Sequence, residues 1–167
     1  PGPSRSARGN VSAGREKRMV KAAKSTDAGA LAELAVRLWE EHTVRDLEAE
    51  FAELLEQDTC ACFLLFQEDA EDCPVGFAQC QLRFDYVEGT KTSPVGYLEG
   101  IYVDEDCRRR GGGLALLQAC EKWAAKKGCT EFASDCELDN ELSYMFHRSA
   151  GFAEANRIIC FTKKIAL

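Results

Sequence analysis

Three arginines and three glycines stand in one unbroken run, Arg108-Arg109-Arg110-Gly111-Gly112-Gly113, between a strand-like apolar stretch and a helical apolar pattern. A helix start leaves backbone N–H groups unpaired and partly positive. Glycines let a bulky anion approach those amides, and guanidinium groups add formal charge. The run suits a phosphate-bearing ligand; read alone, it also fits a Gly-rich loop with solvated arginines. Neither the GxGxxG of dinucleotide folds nor the GK[ST] of a P-loop is present, so nucleotide hydrolysis lacks its usual parts. A second chemical oddity is Glu99, set in the apolar stretch "VGYLEGIYV". A carboxylate there is costly unless it is paired or wet.

The elements that must position these groups follow from periodicity. Met19 to Ala23 is a short strand candidate. Ser25, Thr26 and Asp27 are helix-start residues, and Leu31, Leu34, Ala35 and Leu38 share one helical face. Val44, Leu47, Phe51, Leu54 and Leu55 repeat that pattern in a second helix. "CACFLLF" reads as a buried strand ending at Gln67, "EDAEDCP" as an acidic turn, and "VGFAQCQLRFDYV" as the next strand. "VGYLEGIYV" is another, with Gly100 marking a bulge or a close backbone approach. After the Gly-rich turn, a helix carries Leu114, Leu117, Cys120 and Ala124 on one side. "CTEFASD" is a short strand, a helix runs from Asp139 or Asn140 to Gly151, and "RIICFTKKI" reads as a final strand. Without a clean βαβ rhythm, the order favours a mixed α/β sheet.

The chain has 167 residues, 46% of them apolar, enough for one domain with a real core. The net charge is −7, unevenly spread: six basic residues and one acid precede or include Lys21, so that stretch carries +5 and the remainder −12. Residues 1–18 read as a flexible basic arm, or an appended or upstream-translated stretch with Met19 as the natural start; residues 19–167 read as one domain. A basic arm raises the idea of nucleic-acid binding, but the acidic body repels a duplex and attracts a small cation. No run approaches the roughly 20 apolar residues needed to span a bilayer, and no secretory signal is visible. Nine scattered cysteines with no CxxC suit a reducing cytoplasm. Two histidines without ligand spacing make a metal site unexpected.

Val103 followed by Arg108-x-x-Gly111-x-Gly113 resembles the acetyl-coenzyme A signature of the GNAT N-acetyltransferases. Asn140-x-x-Ser143-x-x-x-His147-x-x-x-Gly151-Phe152 resembles the second half of that family's cofactor site. The resemblance implies a mixed, mostly antiparallel, splayed sheet with helices on both faces. It also implies that Ile101, Tyr102 and Val103 hold pantetheine, that Arg108, Arg109, Arg110, Gly111, Gly112, Gly113 and Leu114 surround the pyrophosphate, and that Asn140 and Ser143 complete the site. "RFDYVEGTKTSPVGYLEGIYV", "GCTEFASD" and "RLWEEH" are similar to the aminoglycoside 6′-N-acetyltransferase branch. That implies acetyl transfer to the 6′-amine by direct attack in a ternary complex, drug resistance, and a homodimer. Acetylation of another polyamine or a peptide amine, or cofactor binding without catalysis, are the alternatives.

A polycationic substrate calls for carboxylates. Glu99 either pairs with an arginine or binds the substrate ammonium and accepts the proton the amine loses. Asp135 ends the strand "EFASD" and either caps a helix or contacts substrate. Trp39 is either a half-buried core ring or, as the resemblance implies, a wall of the sugar site. Tyr86 either packs in its strand or offers its hydroxyl. Asn156 falls where relatives can place another acid. Glu40 and Glu41 belong to a solvated helix face. Many family members carry Tyr where His147 stands, so His147 is either an ordinary helix-face residue or an acid towards the departing thiolate. No cysteine has a base at readable spacing, which speaks against an acyl-enzyme.

Overall fold

Strands β1 (Arg18–Ala22), β2 (Cys60–Gln67), β3 (Ala70–Arg83), β4 (Val95–Val103) and β5 (Phe132–Ser134) form one sheet in that spatial order. Neighbours pair antiparallel except β4 and β5, which are parallel. This computed structural model describes residues 18–68 and 70–165. The basic arm expected over residues 1–18 lies, apart from Arg18, outside the described residues.

β2 is apolar at odd and even positions alike, so both its faces need cover. Cys62, Leu64 and Phe66 pack under α1 (Ala28–Ala35) and α2 (Val44–Leu55). Phe63 and Leu65 point the other way, onto Leu116, Leu117 and Cys120 of α3 (Gly112–Lys126). Helices therefore lie on both faces of the sheet, the GNAT arrangement. Thr43 starts α2 by accepting the Asp46 amide at 3.2 Å. Phe51 and Phe77 meet edge to face at 6.1 Å, and Trp39 completes the group at 5.9 Å from Phe77.

Several elements depart from expectation. α1 buries Leu31, Leu34 and Ala35 but ends at Ala35, leaving Leu38 in the following turn, 37% exposed. On α3 the buried line is Gly112, Leu116, Cys120 and Ala124, each four residues from the last. A Cβ on Gly112 would come within 2.6 Å of Leu65, so this glycine presses the helix onto β2 and sets its face. Leu114 is turned outward, 43% exposed. β3 begins at Ala70, inside the acidic stretch read as a turn. The expected last strand does not form: residues 152–165 belong to no helix or strand. Ile158, Ile159, Phe161 and Ile165 are 68%, 81%, 88% and 84% exposed. A strand needs a neighbour to satisfy its amides and carbonyls, and this segment pairs with none of the described strands.

Gly96 is where β4, β5 and α3 converge. An added Cβ would approach the Phe132 ring to 2.5 Å and Ala124 Cβ to 2.7 Å. Gly96→Val is expected to destabilise the fold by about 1–3 kcal/mol through overpacking, read from urea unfolding; wild-type stability would show that the junction has room to spare.

Candidate active site

β4 opens the site through a bulge. Gln79 of β3 pairs with Gly100, but the next residue, Cys80, pairs with Leu98, so Glu99 has no partner across the strand pair. The bulge reverses the alternation along β4. Leu98, Ile101 and Val103 all face the α3 side, while Tyr102 faces α1 and α2. A residue in such a bulge is re-aimed relative to its strand. Gly100 is required here, since a Cβ would come within 2.6 Å of the Trp39 indole. Trp39 is thus both a half-buried core ring and a wall against the bulge.

Beyond Leu98, β4 loses its second neighbour. β5 pairs only with Gly96, Tyr97 and Leu98. From Gly100 to Val103, β4 is paired on the β3 side alone, so β4 and β5 part as a wedge. Ile101, Tyr102 and Val103, expected to hold pantetheine, line its open edge.

The carboxylates gather at the wedge. Arg83 donates to Glu99 Oε1 through Nη2 at 2.8 Å and Nε at 3.3 Å. Its guanidinium carbon lies 3.4 Å from the centre of the Tyr97 ring. The Asp135 carboxylate is the charged group that acts most strongly on the Tyr97 phenol. Both expected acids, Glu99 and Asp135, therefore belong to one chain of contacts. Of the two readings of Glu99, the arginine pair is realised in the free protein, with the carboxylate still 21% exposed. Tyr86 is 80% exposed, and its hydroxyl donates to Glu88 at 3.0 Å. Ala155 Cβ sits 2.5 Å from where a Gly89 Cβ would lie, which brings exposed Asn156 to the loop that carries Tyr86.

On the other side of the wedge, Arg109 is left-handed at φ 58° and Gly111 at φ 83°. These two turns aim the start of α3. Among the described residues, the amides of Gly112, Gly113 and Leu114 donate to no backbone carbonyl outside the helix. They are the unpaired first-turn donors that an anion needs. Arg108 is committed to the protein: its Nε donates to the Val103 carbonyl at 2.7 Å. Arg109 lines a recess of about 360 Å³ with Arg108 and Glu105, and Arg110 follows on the same turn.

α4 (Glu141–Ser149) is capped by Asn140, whose Oδ1 accepts the Ser143 amide at 3.0 Å. His147 Nδ1 lies 2.7 Å from the Ser143 carbonyl, and Nε2 lies 2.8 Å from Ser134 Oγ. A carbonyl only accepts, so Nδ1 carries the proton in the neutral ring and Nε2 accepts from Ser134. The expected cofactor contacts of Asn140 and Ser143 are partly occupied by these local bonds.

Residues 30–152, which hold the splayed strands, the bulge and the amide-rich turn, match the Acetyltransferase (GNAT) family. The chain belongs to that family. It is 41% identical over 133 residues to the aminoglycoside N(6′)-acetyltransferase type 1 of Acinetobacter haemolyticus, covering 80% of this chain and 89% of that one. It is 43% identical over 128 residues to the enzyme of the same name from Acinetobacter genomosp. 13, covering 77% and 86%. The fold matches that of AAC(6′)-Iy in complex with the bisubstrate analogue CoA-S-monomethyl-acetylneamine, with a TM-score of 0.83 at 34% identity, over 89% of this chain and 99% of that one.

Sequence reasoning missed Arg83, Tyr97 and Ser134. Arg83 ends β3, a strand whose sequence also contains Glu71 and Asp72, so its charge alone gives no signal, and its partner depends on the bulged register. Burial first, and then the neighbouring Asp135 carboxylate, push the Tyr97 phenol up to about 12. The folded value lies above the ordinary one of about 10, so the fold favours the neutral phenol. That contribution is whole below about pH 10 and is lost as pH rises towards 12. Ultraviolet titration of tyrosinate should show a late step that Tyr97→Phe removes; identical titrations would contradict the placement of this ring.

Proposed function

We propose that this chain transfers acetyl from acetyl-CoA to the 6′-amino group of aminoglycosides and thereby confers resistance. The observation that carries the reading is the joined pair of acids, Glu99 and Asp135, at the mouth of a wedge whose far side presents unpaired amides. The residues fit the cofactor: Gly112, Gly113 and Leu114 offer open donors for a diphosphate, Arg109 adds charge, and the free edge at Ile101 to Val103 suits an extended amide-bearing arm. Acetyl-CoA supplies the thioester carbonyl that the amine attacks within the ternary complex.

The chain's own groups do the rest. A chain of net charge −7, with −12 after Lys21, draws in a multiply protonated sugar. Glu99 holds the substrate ammonium at the bulge and accepts its proton. Asp135, Tyr86, Trp39 and Asn156 surround the remaining rings. The open edge beside Ile101 offers a backbone donor to the carbonyl oxygen. His147, with Nδ1 tied to the Ser143 carbonyl, acts as the acid towards the departing thiolate in its doubly protonated form: Nε2 gives its proton to the Ser134 hydroxyl as that hydroxyl gives its own to the sulfur.

The working unit we propose is a homodimer in the cytoplasm. Ile158, Ile159 and Phe161 lie exposed, and so do Leu142 and Met145 of α4, at 67% and 64%. β5 pairs with β4 alone among the described strands. An unpartnered apolar segment and an open sheet edge in one molecule are met together by a second copy. All nine cysteines are free thiols, which suits a reducing compartment, and among the described residues no helix is long and apolar enough to cross a membrane.

An amine panel followed by CoA release tests the activity. Kanamycin and tobramycin should turn over, and an analogue with a hydroxyl at the 6′ position should not; preference for spermidine or peptides would overturn the substrate, and thermal stabilisation by acetyl-CoA without turnover would overturn the enzyme. Glu99→Gln should keep CoA binding and lose most turnover. Arg109→Ala should weaken CoA binding about tenfold, measured by calorimetry, and an unchanged affinity would move the diphosphate elsewhere. Light scattering should give a dimer that Phe161→Glu splits.

A further inference from the structure

We propose that Arg83 is the positioning residue of the Glu99 carboxylate, an assignment that rests on the proposed role of Glu99 at the substrate amine. The bulge leaves Glu99 without a partner across the strand pair, so β4 does not fix the direction of its side chain. Arg83 does. Nη2 and Nε both engage the same oxygen, Oε1, at 2.8 and 3.3 Å. Among the described residues Oε2 accepts no hydrogen bond from a donor. One carboxylate oxygen is anchored and the other is left for the incoming amine.

The anchor is itself held. The guanidinium lies 3.4 Å over the ring of Tyr97, which is only 6% exposed and packed with Val87 and Val95. The register explains the reach: Arg83 lies opposite Val95, and Gln81 lies opposite Tyr97. The Arg83 side chain therefore runs along the sheet from Val95 across Tyr97 to Glu99. Arginine suits this place because a flat cation stacks on an aromatic face while its edge donates to a carboxylate. Lysine supplies the charge without the plate.

The assignment makes a prediction with opposing signs. Arg83 is a fixed positive charge in a pocket that collects cations, so removing it does not weaken capture of a cationic drug. It does free Glu99 to rotate away from the amine. For Arg83→Ala, kcat should fall about tenfold or more, as misplacement of a reacting group by about 1 Å costs up to about a hundredfold. KM for tobramycin should stay level or fall, and KM for acetyl-CoA should hold. Arg83→Lys should recover part of the lost kcat. Arg83→Ala combined with Glu99→Gln should be no slower than Glu99→Gln alone, because an anchor has no effect once its carboxylate is gone.

Steady-state kinetics on the full chain of all four variants decides the matter, with melting temperatures recorded to identify any variant that fails to fold. Wild-type kcat in Arg83→Ala, a raised drug KM at unchanged kcat, or a double variant slower in proportion to both singles would each overturn the anchor. If Arg83→Ala does not fold, Arg83→Lys carries the test alone, and full wild-type kcat there would overturn the need for a stacked fork. A fully active Glu99→Gln sinks the reading of Glu99 itself, whereas an inactive Glu99→Gln beside an active Arg83→Ala removes Arg83 only.

Discussion

The bulge at Glu99 and Gly100 is the constraint on which the site depends. One unpaired residue in β4 does three things at once. It turns a carboxylate out of the ladder, it reverses which residues face α3, and it falls just past the point where β5 stops following β4. The wedge between these strands is a gap in a hydrogen-bonded sheet, and its cost is met by what flanks it. Gly96 allows β4, β5 and α3 to close tightly on one side, and Trp39 fills the space above Gly100 on the other.

Charge is sorted across this wedge. The α3 side presents amides and guanidinium groups, held open by left-handed Arg109 and Gly111. The opposite face presents carboxylates that Arg83 and Tyr97 tie together. Under the proposed function, a diphosphate and a polycation are drawn to neighbouring places without competing for the same groups. The buried Phe51, Phe77 and Trp39 rings connect the two halves to a common core, so the geometry of the wedge is inherited from ordinary packing.

Much of this was legible in the sequence where a residue's chemistry conflicts with its surroundings. Glu99 in an apolar strand, Gly100 beside it and the Arg/Gly run each violate the local pattern, and each lies at the proposed site. Partners were not legible. Arg83 lies opposite Val95, and only the bulged register carries its side chain to Glu99. His147 was recognisable as a titratable group, but its bonds to Ser143 and Ser134 depend on how α4 packs against β5. The segment "RIICFTKKI" has the composition of a strand, yet composition reports competence to pair and not the presence of a neighbour. Leu114 was assigned to the buried face of α3 because Gly112, the residue that sets that face, has no side chain to count.

Amide hydrogen exchange with and without CoA is the most direct measurement of the wedge. The account predicts fast exchange at Gly112, Gly113, Leu114 and the outward-facing amides of Ile101 to Val103 in the free protein, with strong protection when CoA is added. Slow exchange at these amides before any ligand is present, or protection by CoA that falls elsewhere, would contradict it.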